Sequence, residues 1–251
     1  MTELIERFVK MLKECNDIVF FGGAGTSTES GIKDYRSEDG LYSTVNEYGV
    51  SPEVILSHTF FYEHPDVFYN FYGKYFLADI QPNITHYALA ELEKQGNVNA
   101  CVTQNVDSLH QKAGSENVLE LHGNARKFKC VGCNYNPDTE EVVNIIKSGE
   151  VPRCKLCSAI IKPEVVLYEE RLDDIVIDKT VNEISKADML IIGGTSLSVY
   201  PAASFIEYFK GKYIAVINKG ETSRSVSADV VINDSLGKVF TFLSDKMSDK
   251  A

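Results

Sequence analysis

Four of the six cysteines in this 251-residue chain occur as two Cys-x-x-Cys pairs. Cys130 and Cys133 form the first pair, and Cys154 and Cys157 form the second. Each pair brings two thiolates to one tetrahedral ion, and four thiolates leave no coordination position for water or substrate. Disulfides are the alternative, but they are rare in cytosolic proteins. The spacing therefore predicts one structural Zn²⁺ that holds a small lobe together.

Two glycine-rich segments follow apolar runs and would let the backbone approach an anion closely. The first is Gly22-Gly23-Ala24-Gly25-Thr26-Ser27, and the second is Gly193-Gly194-Thr195-Ser196. We expect the next helix to begin just after the first segment and to offer free N–H groups. Thr28 stands where the dinucleotide fingerprint has its third glycine, so a plain glycine turn is an open alternative for this segment alone.

Polar side chains follow a third apolar run, at Gln104, Asn105 and Asp107. In an open parallel sheet, the ligand lies at the carboxyl edge where such side chains gather. His122 follows in the run Glu120-Leu121-His122-Gly123, and a histidine near neutrality can take a proton from a sugar hydroxyl. A structural histidine is the alternative, but the three polar residues favour a catalytic one.

The elements that would position these residues alternate along the chain. Short apolar runs predict buried parallel strands at Asp17 to Phe21, Val98 to Val102, Met189 to Ile192, Tyr213 to Ile217 and Val230 to Ile232. Helical spacing occurs at residues 2–14, at Ile84 to Lys94 before Gly96, and at Pro201 to Lys210. This alternation predicts an α/β fold with an open parallel Rossmann-like sheet and helices on both faces.

Two insertions interrupt the alternation, at about residues 41–80 and 128–161. The first is rich in aromatic residues, and we expect a helical lobe that packs these rings into its own core rather than a ligand cage. The second carries the four paired cysteines. The chain then forms one catalytic unit, residues 1–251. Its large domain comprises about 1–40, 81–127 and 162–251, and its small domain comprises the two insertions.

Read in order, six short motifs together resemble the sirtuin family of NAD-dependent protein-lysine deacylases, in its bacterial form. They are Gly23-Ala24-Gly25-Thr26-Ser27, Asp34-Tyr35-Arg36-Ser37, Thr103-Gln104-Asn105-Val106-Asp107, Leu121-His122-Gly123, the two cysteine pairs and Gly194-Thr195-Ser196-Leu197-Ser198. The resemblance extends from about Ile18 to Asn218, which is most of the chain.

The resemblance implies that NAD is consumed as a co-substrate and identifies the residues that contact it. These are Gly23, Ala24, Gly25, Thr26, Ser27, Arg36, Gln104, Asn105, Asp107, Gly194, Thr195, Ser196 and Asn218. Asn105 and Asp107 would line the nicotinamide pocket, and Arg36 would lie on a mobile loop that orders over NAD. The implied catalytic residues are His122 and Asn105.

The resemblance also implies a reaction. The acyl-lysine carbonyl oxygen attacks the ribose carbon that bears nicotinamide, and His122 deprotonates a ribose hydroxyl that attacks the resulting imidate. The products are free lysine, nicotinamide and O-acyl-ADP-ribose. The partners would be acetylated proteins, bound as an extended lysine-containing strand along Lys162 to Val166. The implied substrate contacts are Tyr35, Val166, Leu167 and Tyr168.

Several residues depart from the family pattern near the acyl end of the site. Lys33 replaces a usual proline, and Tyr35 replaces a usual phenylalanine. Glu169 stands where the family has glycine, so it would be strained if its φ is positive. The segment Tyr72-Gly73-Lys74-Tyr75 lacks the arginine of the Tyr-x-x-Arg pair found in sirtuins that prefer acidic acyl chains. We therefore expect neutral acyl groups, acetyl first.

Charge and hydropathy exclude some partners. The net charge of −11 argues against non-specific nucleic-acid binding; it suits lysine-rich substrates but is also explained by solubility alone. No apolar run approaches the length of a membrane span, and the first residues do not resemble a signal peptide, so we predict a cytoplasmic location without membrane contact. The sequence does not indicate the oligomeric state or the protein substrates.

Two other functions are compatible with parts of the pattern. A protein mono-ADP-ribosyltransferase would use the same NAD site, although Asn105 and His122 favour deacylation. A non-catalytic NAD-sensing or zinc-dependent interaction module would be expected to lack the polar residues that are present here. A dehydrogenase fits poorly, because it leaves the zinc pairs and the polar motifs unexplained.

Overall fold

The computed structural model describes residues 2–32, 45–223 and 225–248. Within these ranges the strands are β1 Ile18–Gly22, β2 Val98–Thr103, β3 Val118–Glu120, β4 Gly123–Cys130, β5 Ile161–Val165, β6 Met189–Gly193, β7 Tyr213–Ile217 and β8 Val230–Ile232. The helices are α1 Thr2–Lys13, α2 Val45–Tyr48, α3 Pro52–Ile55, α4 His58–Glu63, α5 Pro65–Phe76, α6 Ile84–Lys94, α7 Leu109–Ala113, α8 Thr139–Lys147, α9 Asp174–Lys186 and α10 Leu236–Ser248.

Six strands form a parallel sheet in the order β3-β2-β1-β6-β7-β8, which confirms the predicted open sheet. The strand order reverses between β1 and β6, whose last residues Gly22 and Gly193 are paired in register. The crevice outside the carboxyl ends of strands at such a reversal is the usual ligand site of this fold class. The fold therefore places both glycine-rich segments at this crevice.

Hydrophobic layers cover both faces of the sheet. On one face, Phe20 and Ile191 pack with residues of α1, α6 and α10. On the other face, Phe21 and Ile192 pack with Ile184 of α9 and the segment after β6. Because each central strand is buried on both faces, these strands appear in the sequence as continuous apolar runs, and this explains why they could be predicted.

The segment predicted as a helix from Pro201 to Lys210 is a 3₁₀-helix over Ala202–Tyr208. Its bonds span three residues, as in Ser204 N–H to Pro201 O at 2.9 Å. The Ser204 hydroxyl donates to the same carbonyl at 2.7 Å and so favours the tighter turn over an α-helical ladder. The sequence therefore located a helical segment here, and the structure shows that it is a 3₁₀-helix.

A second, antiparallel sheet pairs β4 with β5, and no sequence pattern had indicated it. Its strands carry charged residues and Pro163, which hide the usual strand signal. One hydrophobic core joins these two strands to α3, α5 and α8. Five aromatic rings of the first insertion are buried, those of Phe61, Phe68, Tyr69, Phe71 and Tyr72, whereas Tyr62 is exposed. The buried rings share this core with the cysteine-bearing insertion instead of forming one of their own.

Across the described ranges, no helix is both long and apolar enough to cross a membrane.

Candidate active site and metal centre

The two glycine-rich segments contact each other at the crevice. Gly25 N–H donates to Gly194 O at 2.7 Å, and Gly23 N–H donates to Gly193 O at 3.2 Å. A Cβ on Gly25 would lie 2.7 Å from Gly194 Cα, and one on Gly194 would lie 2.5 Å from Thr26 N. The glycines are therefore required for this close approach of two backbones at the strand ends, and we refer to the two paired segments as the glycine cradle.

The chain after the first glycine segment differs from the expectation of a helix N-terminus. Two 3₁₀ turns occur instead, at Ala24–Thr26 and Thr28–Ser30. The Thr28 hydroxyl donates to Gly25 O at 3.1 Å, and Gly31 ends the second turn with a φ of +90°. The predicted helix was wrong here, because this threonine stabilises a local turn that a glycine at its position would not.

Ser27 joins two of the predicted nicotinamide contacts. Its hydroxyl donates to Asp107 Oδ2 at 2.7 Å and accepts from Asn105 Nδ2 at 3.0 Å. Ser27 is fully buried. Burial raises the pKa of the Asp107 carboxyl, while hydrogen bonds from Ser27 and from Leu109 N–H counteract that shift. Residues from β1 and β2 strand ends thus form one polar cluster, as the strand positions predicted.

Gln104 links this cluster to the second glycine segment. Its Nε2 donates to Thr195 Oγ1 at 3.0 Å, and its N–H donates to Gly22 O at 3.0 Å. Thr195 Oγ1 also accepts from Leu197 N at 3.2 Å. Leu197 is buried with a φ of +53°, a strained conformation for a non-glycine residue. Hydrogen bonds at the predicted positions therefore connect the carboxyl ends of β1, β2 and β6.

His122 lies between β3 and β4, beside the same crevice. Its Nδ1 is 2.9 Å from Gln104 O, and a carbonyl can only accept, so Nδ1 carries the proton. Nε2 then has the free lone pair and no hydrogen-bond partner among the described residues. Burial lowers the pKa of His122, and the bond to Gln104 O opposes that shift. The geometry presents a neutral imidazole with one basic nitrogen.

The remaining predicted cofactor contacts occupy the rim of the crevice. Asn218 follows β7, and its Nδ2 donates to Gly220 O at 2.8 Å. Ser196 Oγ lies 2.8 Å from Ser198 Oγ, and Ser196 O accepts from Ser223 N–H at 2.7 Å. Ala24 and Thr26 belong to the first 3₁₀ turn. Tyr35 and Arg36 lie outside the described residues, as do Lys33 and Asp34.

The predicted substrate-binding segment, Lys162 to Val166, consists of most of β5 and the residue after it. Val166 N–H donates to His122 O at 2.9 Å, which fixes the strand beside the predicted base. Leu167 is buried in the shared core, whereas Tyr168 is exposed. Glu169 has a φ of +76°, as expected if it replaces a glycine of positive φ. Its carboxylate accepts from Thr59 N–H at 2.9 Å and Thr59 Oγ1 at 2.8 Å, and these bonds offset the backbone strain.

The four paired cysteines converge as predicted. Their sulfur atoms all lie within 4.8 Å of one another, with Cys130 Sγ 3.4 Å from Cys157 Sγ and Cys133 Sγ 3.6 Å from Cys154 Sγ. Four thiolates around one Zn²⁺ at the usual bond length would be ~3.8 Å apart. Four sulfur ligands in a closed tetrahedral set therefore fit a structural zinc ion, and no disulfide is formed.

One polar neighbour of the crevice was missed in the sequence. His86, near the start of α6, lies with its Nε2 3.4 Å from Ser27 Oγ and is completely buried. The capping residue Asn83 at the helix start marks the location of this turn, but no sequence spacing connects His86 to the strand ends.

The sequence matches the family model described as Sir2 family over residues 23–201. A protein from Clostridium acetobutylicum named NAD-dependent protein deacetylase is 51% identical over 240 residues, which cover 95% of this chain and 97% of that protein. A Clostridium perfringens protein of the same name is also 51% identical, with 95% and 98% covered.

Solved structures agree with the sequence comparison. A structure described under the mechanism and regulation of Sir2 enzymes has a TM-score of 0.89 and 36% identity, with both chains fully covered. A Sir2 structure with a deacetylated p53 peptide and 3'-O-acetyl ADP-ribose has a TM-score of 0.88 and 33% identity, with 96% of this chain and 98% of that chain covered. The crevice, the cysteine cluster and these matches together show that the chain belongs to the Sir2 family.

Proposed function

We propose that this chain is an NAD-dependent protein-lysine deacetylase that releases nicotinamide and O-acetyl-ADP-ribose. The observation that carries the proposal is the hydrogen bond from His122 Nδ1 to Gln104 O, which leaves Nε2 as a base beside the Ser27–Asn105–Asp107 cluster. The names of the relatives and the acetylated product in the related structure support the same reaction.

The crevice residues fit NAD. Gly23, Gly25 and Gly194 have no room for side chains, and Gly25 and Gly194 are only partly buried, so the two segments bring backbone to the crevice where a phosphate would bind. The carboxylate of Asp107 and the amide of Asn105 match the hydrogen-bonding groups of a carboxamide. When bound, NAD supplies an electrophilic ribose carbon and an acceptor for the acetyl group.

The residues of the chain then have distinct tasks. Asn105 and Asp107 hold the carboxamide, and their shared partner Ser27 keeps them in one arrangement. His122 accepts the proton of a ribose hydroxyl at Nε2, and the Gln104 carbonyl stabilises the imidazolium through Nδ1–H. The segment Lys162 to Val166, most of which is β5, would bind the substrate as an extended lysine-containing strand, with Val166, Leu167 and Tyr168 as the predicted contacts.

The substrates follow from the same proposal. Acetylated proteins are the substrates that match the peptide found in the related structure. A cytoplasmic location and the absence of nucleic-acid and membrane contacts stay predictions from the sequence. Arg36 and Tyr35 stay predicted contacts of NAD and of the substrate.

The pH dependence follows from the pKa of His122. Burial disfavours the imidazolium and lowers this pKa below its ordinary value, so the neutral, active form persists at lower pH. We expect kcat/KM to rise with pH and to reach half its plateau below about pH 6.5, the ordinary histidine value. A pH profile of kcat/KM measures this directly. A midpoint well above pH 7 would contradict the proposed role of the neutral imidazole.

Acyl preference should favour neutral chains. Lys74 is the cation within the segment Tyr72-Gly73-Lys74-Tyr75, which lacks the arginine of sirtuins that prefer acidic acyl chains. Its side chain is half exposed, and its Nζ lies 2.7 Å from a carboxylate oxygen of Glu47. Tyr72 OH donates to Ala125 O at 2.9 Å. We expect kcat/KM for acetyl-lysine to exceed that for succinyl-lysine by at least about tenfold, because burying an unpaired carboxylate is costly. Matched acetyl, butyryl and succinyl peptides test this, with K74A as a control that leaves the order unchanged.

A direct test of the proposal compares acetyl-lysine and unmodified lysine peptides of one sequence. With NAD present, we expect the acetylated peptide to lose its acetyl group and the unmodified peptide to stay unchanged. Covalent attachment of an ADP-ribosyl group to either peptide would favour the transferase alternative.

A further inference from the structure

Ser27 has a third neighbour that the proposed mechanism does not use. Its hydroxyl donates to Asp107 Oδ2 and accepts from Asn105 Nδ2, which occupies one of two oxygen lone pairs. His86 Nε2 lies 3.4 Å from the same oxygen. For His86 to fill the second lone pair, its Nε2 must carry a proton.

The hydrogen bond at the other ring nitrogen, Nδ1, sets the tautomer of His86. Asn83 N–H lies 3.3 Å from His86 Nδ1 as part of a capping box at the start of α6. A backbone N–H can only donate, so Nδ1 accepts and the ring proton resides on Nε2. Nε2–H therefore points a donor at Ser27 Oγ, whose hydrogen-bonding capacity is then complete.

The ring of His86 is held in one orientation. It packs edge-on against His110 with 4.9 Å between ring centroids, and both residues are completely or almost completely buried. Burial also lowers the pKa of His86 to about 4, which keeps the ring neutral near pH 7. A neutral, fixed imidazole with one defined donor is suited to orient a hydroxyl.

We propose that His86 is a positioning residue for the nicotinamide pocket, which acts through Ser27 to fix Asn105 and Asp107. This inference rests on the proposed function of the crevice as an NAD site. His86 touches neither NAD nor the acyl-lysine in this scheme. Its contribution is the orientation of the Ser27 hydroxyl, and through it the arrangement of the two side chains that hold the carboxamide.

Two substitutions separate this role from simple helix capping. In H86N the shorter amide reaches the position of Nδ1, keeps an acceptor for Asn83 N–H and loses the donor to Ser27. In H86Q the longer amide reaches the position of Nε2, keeps that donor and loses the cap. We expect H86N to weaken NAD binding by about 5- to 50-fold, the effect of an unpaired buried acceptor, and H86Q to stay within about threefold of wild type.

Calorimetric titration with NAD compares the NAD affinities of wild type, H86N and H86Q without turnover, and the KM for NAD compares them during turnover. T85V is the matched control, since Thr85 is equally buried on the same helix turn and its hydroxyl has no partner among the described residues. A double-mutant cycle of H86N with S27A should be strongly non-additive, because each change removes the same bond. Additive effects, or an active H86N with an impaired H86Q, would overturn the proposal.

A measurement on the wild-type protein keeps the inference testable if the variants fold poorly. Nitrogen-15 NMR of the histidine side chains near pH 7, without NAD, should show that His86 is protonated at Nε2 and unprotonated at Nδ1. The opposite tautomer would overturn the proposal. The proposed reaction can fail separately from this inference. If wild type does not deacetylate the peptide, but His86 is protonated at Nε2 and H86N binds NAD more weakly than H86Q, the reaction is refuted and the role of His86 stands.

Discussion

Substitution of His122 by alanine should lower turnover by ~10²–10⁴-fold, the usual effect of losing a general base. The hydrogen bond from Nδ1 to Gln104 O leaves Nε2 as the only ring nitrogen able to accept a proton. The same variant should bind NAD with nearly wild-type affinity, because the glycine cradle and the Ser27–Asn105–Asp107 cluster do not depend on the imidazole.

Steady-state kinetics with an acetyl-lysine peptide and calorimetric titration with NAD measure the two parts of this prediction. H64A is the control, since His64 is an exposed histidine on the helical insertion, and it should stay within about twofold of wild type. A His122 variant that turns over within a few-fold of wild type would remove this residue from the mechanism. Loss of NAD binding would instead assign it to the cofactor site.

Removal of the metal should have the second large effect. We expect one zinc ion per chain, and C130S or C154S should lose it together with the folded small lobe and all activity. Structural zinc contributes roughly 10–16 kcal/mol of apparent binding free energy in zinc-finger peptides, and this free energy is linked to folding. Cys130 and Cys154 lie in the same core as Val165 and Leu167, so unfolding there would release the strand that bonds to His122 O.

Elemental analysis of reduced protein gives the zinc content, and thermal unfolding with and without a chelator gives the linked stability. C15A serves as the control, because Cys15 is buried far along the chain from the cluster and should leave the zinc content at one. Active, reduced protein that contains no zinc would contradict this prediction.

The sheet was predictable because its central strands are buried on both faces. Tyr213–Ile217 and Val230–Ile232 have the predicted bounds, and the three other predicted strands each differ from theirs by one residue at one or both ends. The short edge strand Val118–Glu120 was not predicted. The antiparallel pair of β4 and β5 was not predictable, since β4 carries charged residues such as Lys129 among its apolar ones and Pro163 lies inside β5. The shared core of the two insertions depends on tertiary packing that no local pattern specifies.

The predicted crevice residues were brought together because the carboxyl ends of parallel strands share one edge of the sheet. This reasoning found Ser27, Asn105 and Asp107, which hydrogen-bond as one cluster. It could not find His86, whose side chain reaches the cluster from the start of a helix rather than from a strand end.

A positive φ at a non-glycine residue was predictable only where that residue replaces a glycine of the family pattern. Glu169 was expected to be strained if the glycine that the family has there needs a positive φ, and the φ of Glu169 is positive. Its partner Thr59, which lies far away in sequence, was not predictable. Leu197 also has a positive φ, and its residue type gives no hint of one.

The most direct test of the account is the product balance of a single reaction with an acetyl-lysine peptide and NAD. Mass spectrometry and chromatography would count nicotinamide, deacetylated peptide and O-acetyl-ADP-ribose in the same sample. The account predicts equal amounts of the three, in wild type and, at a far lower rate, in the His122 variant. Nicotinamide released while the peptide stays acetylated, with ADP-ribose free or attached to protein, would contradict it.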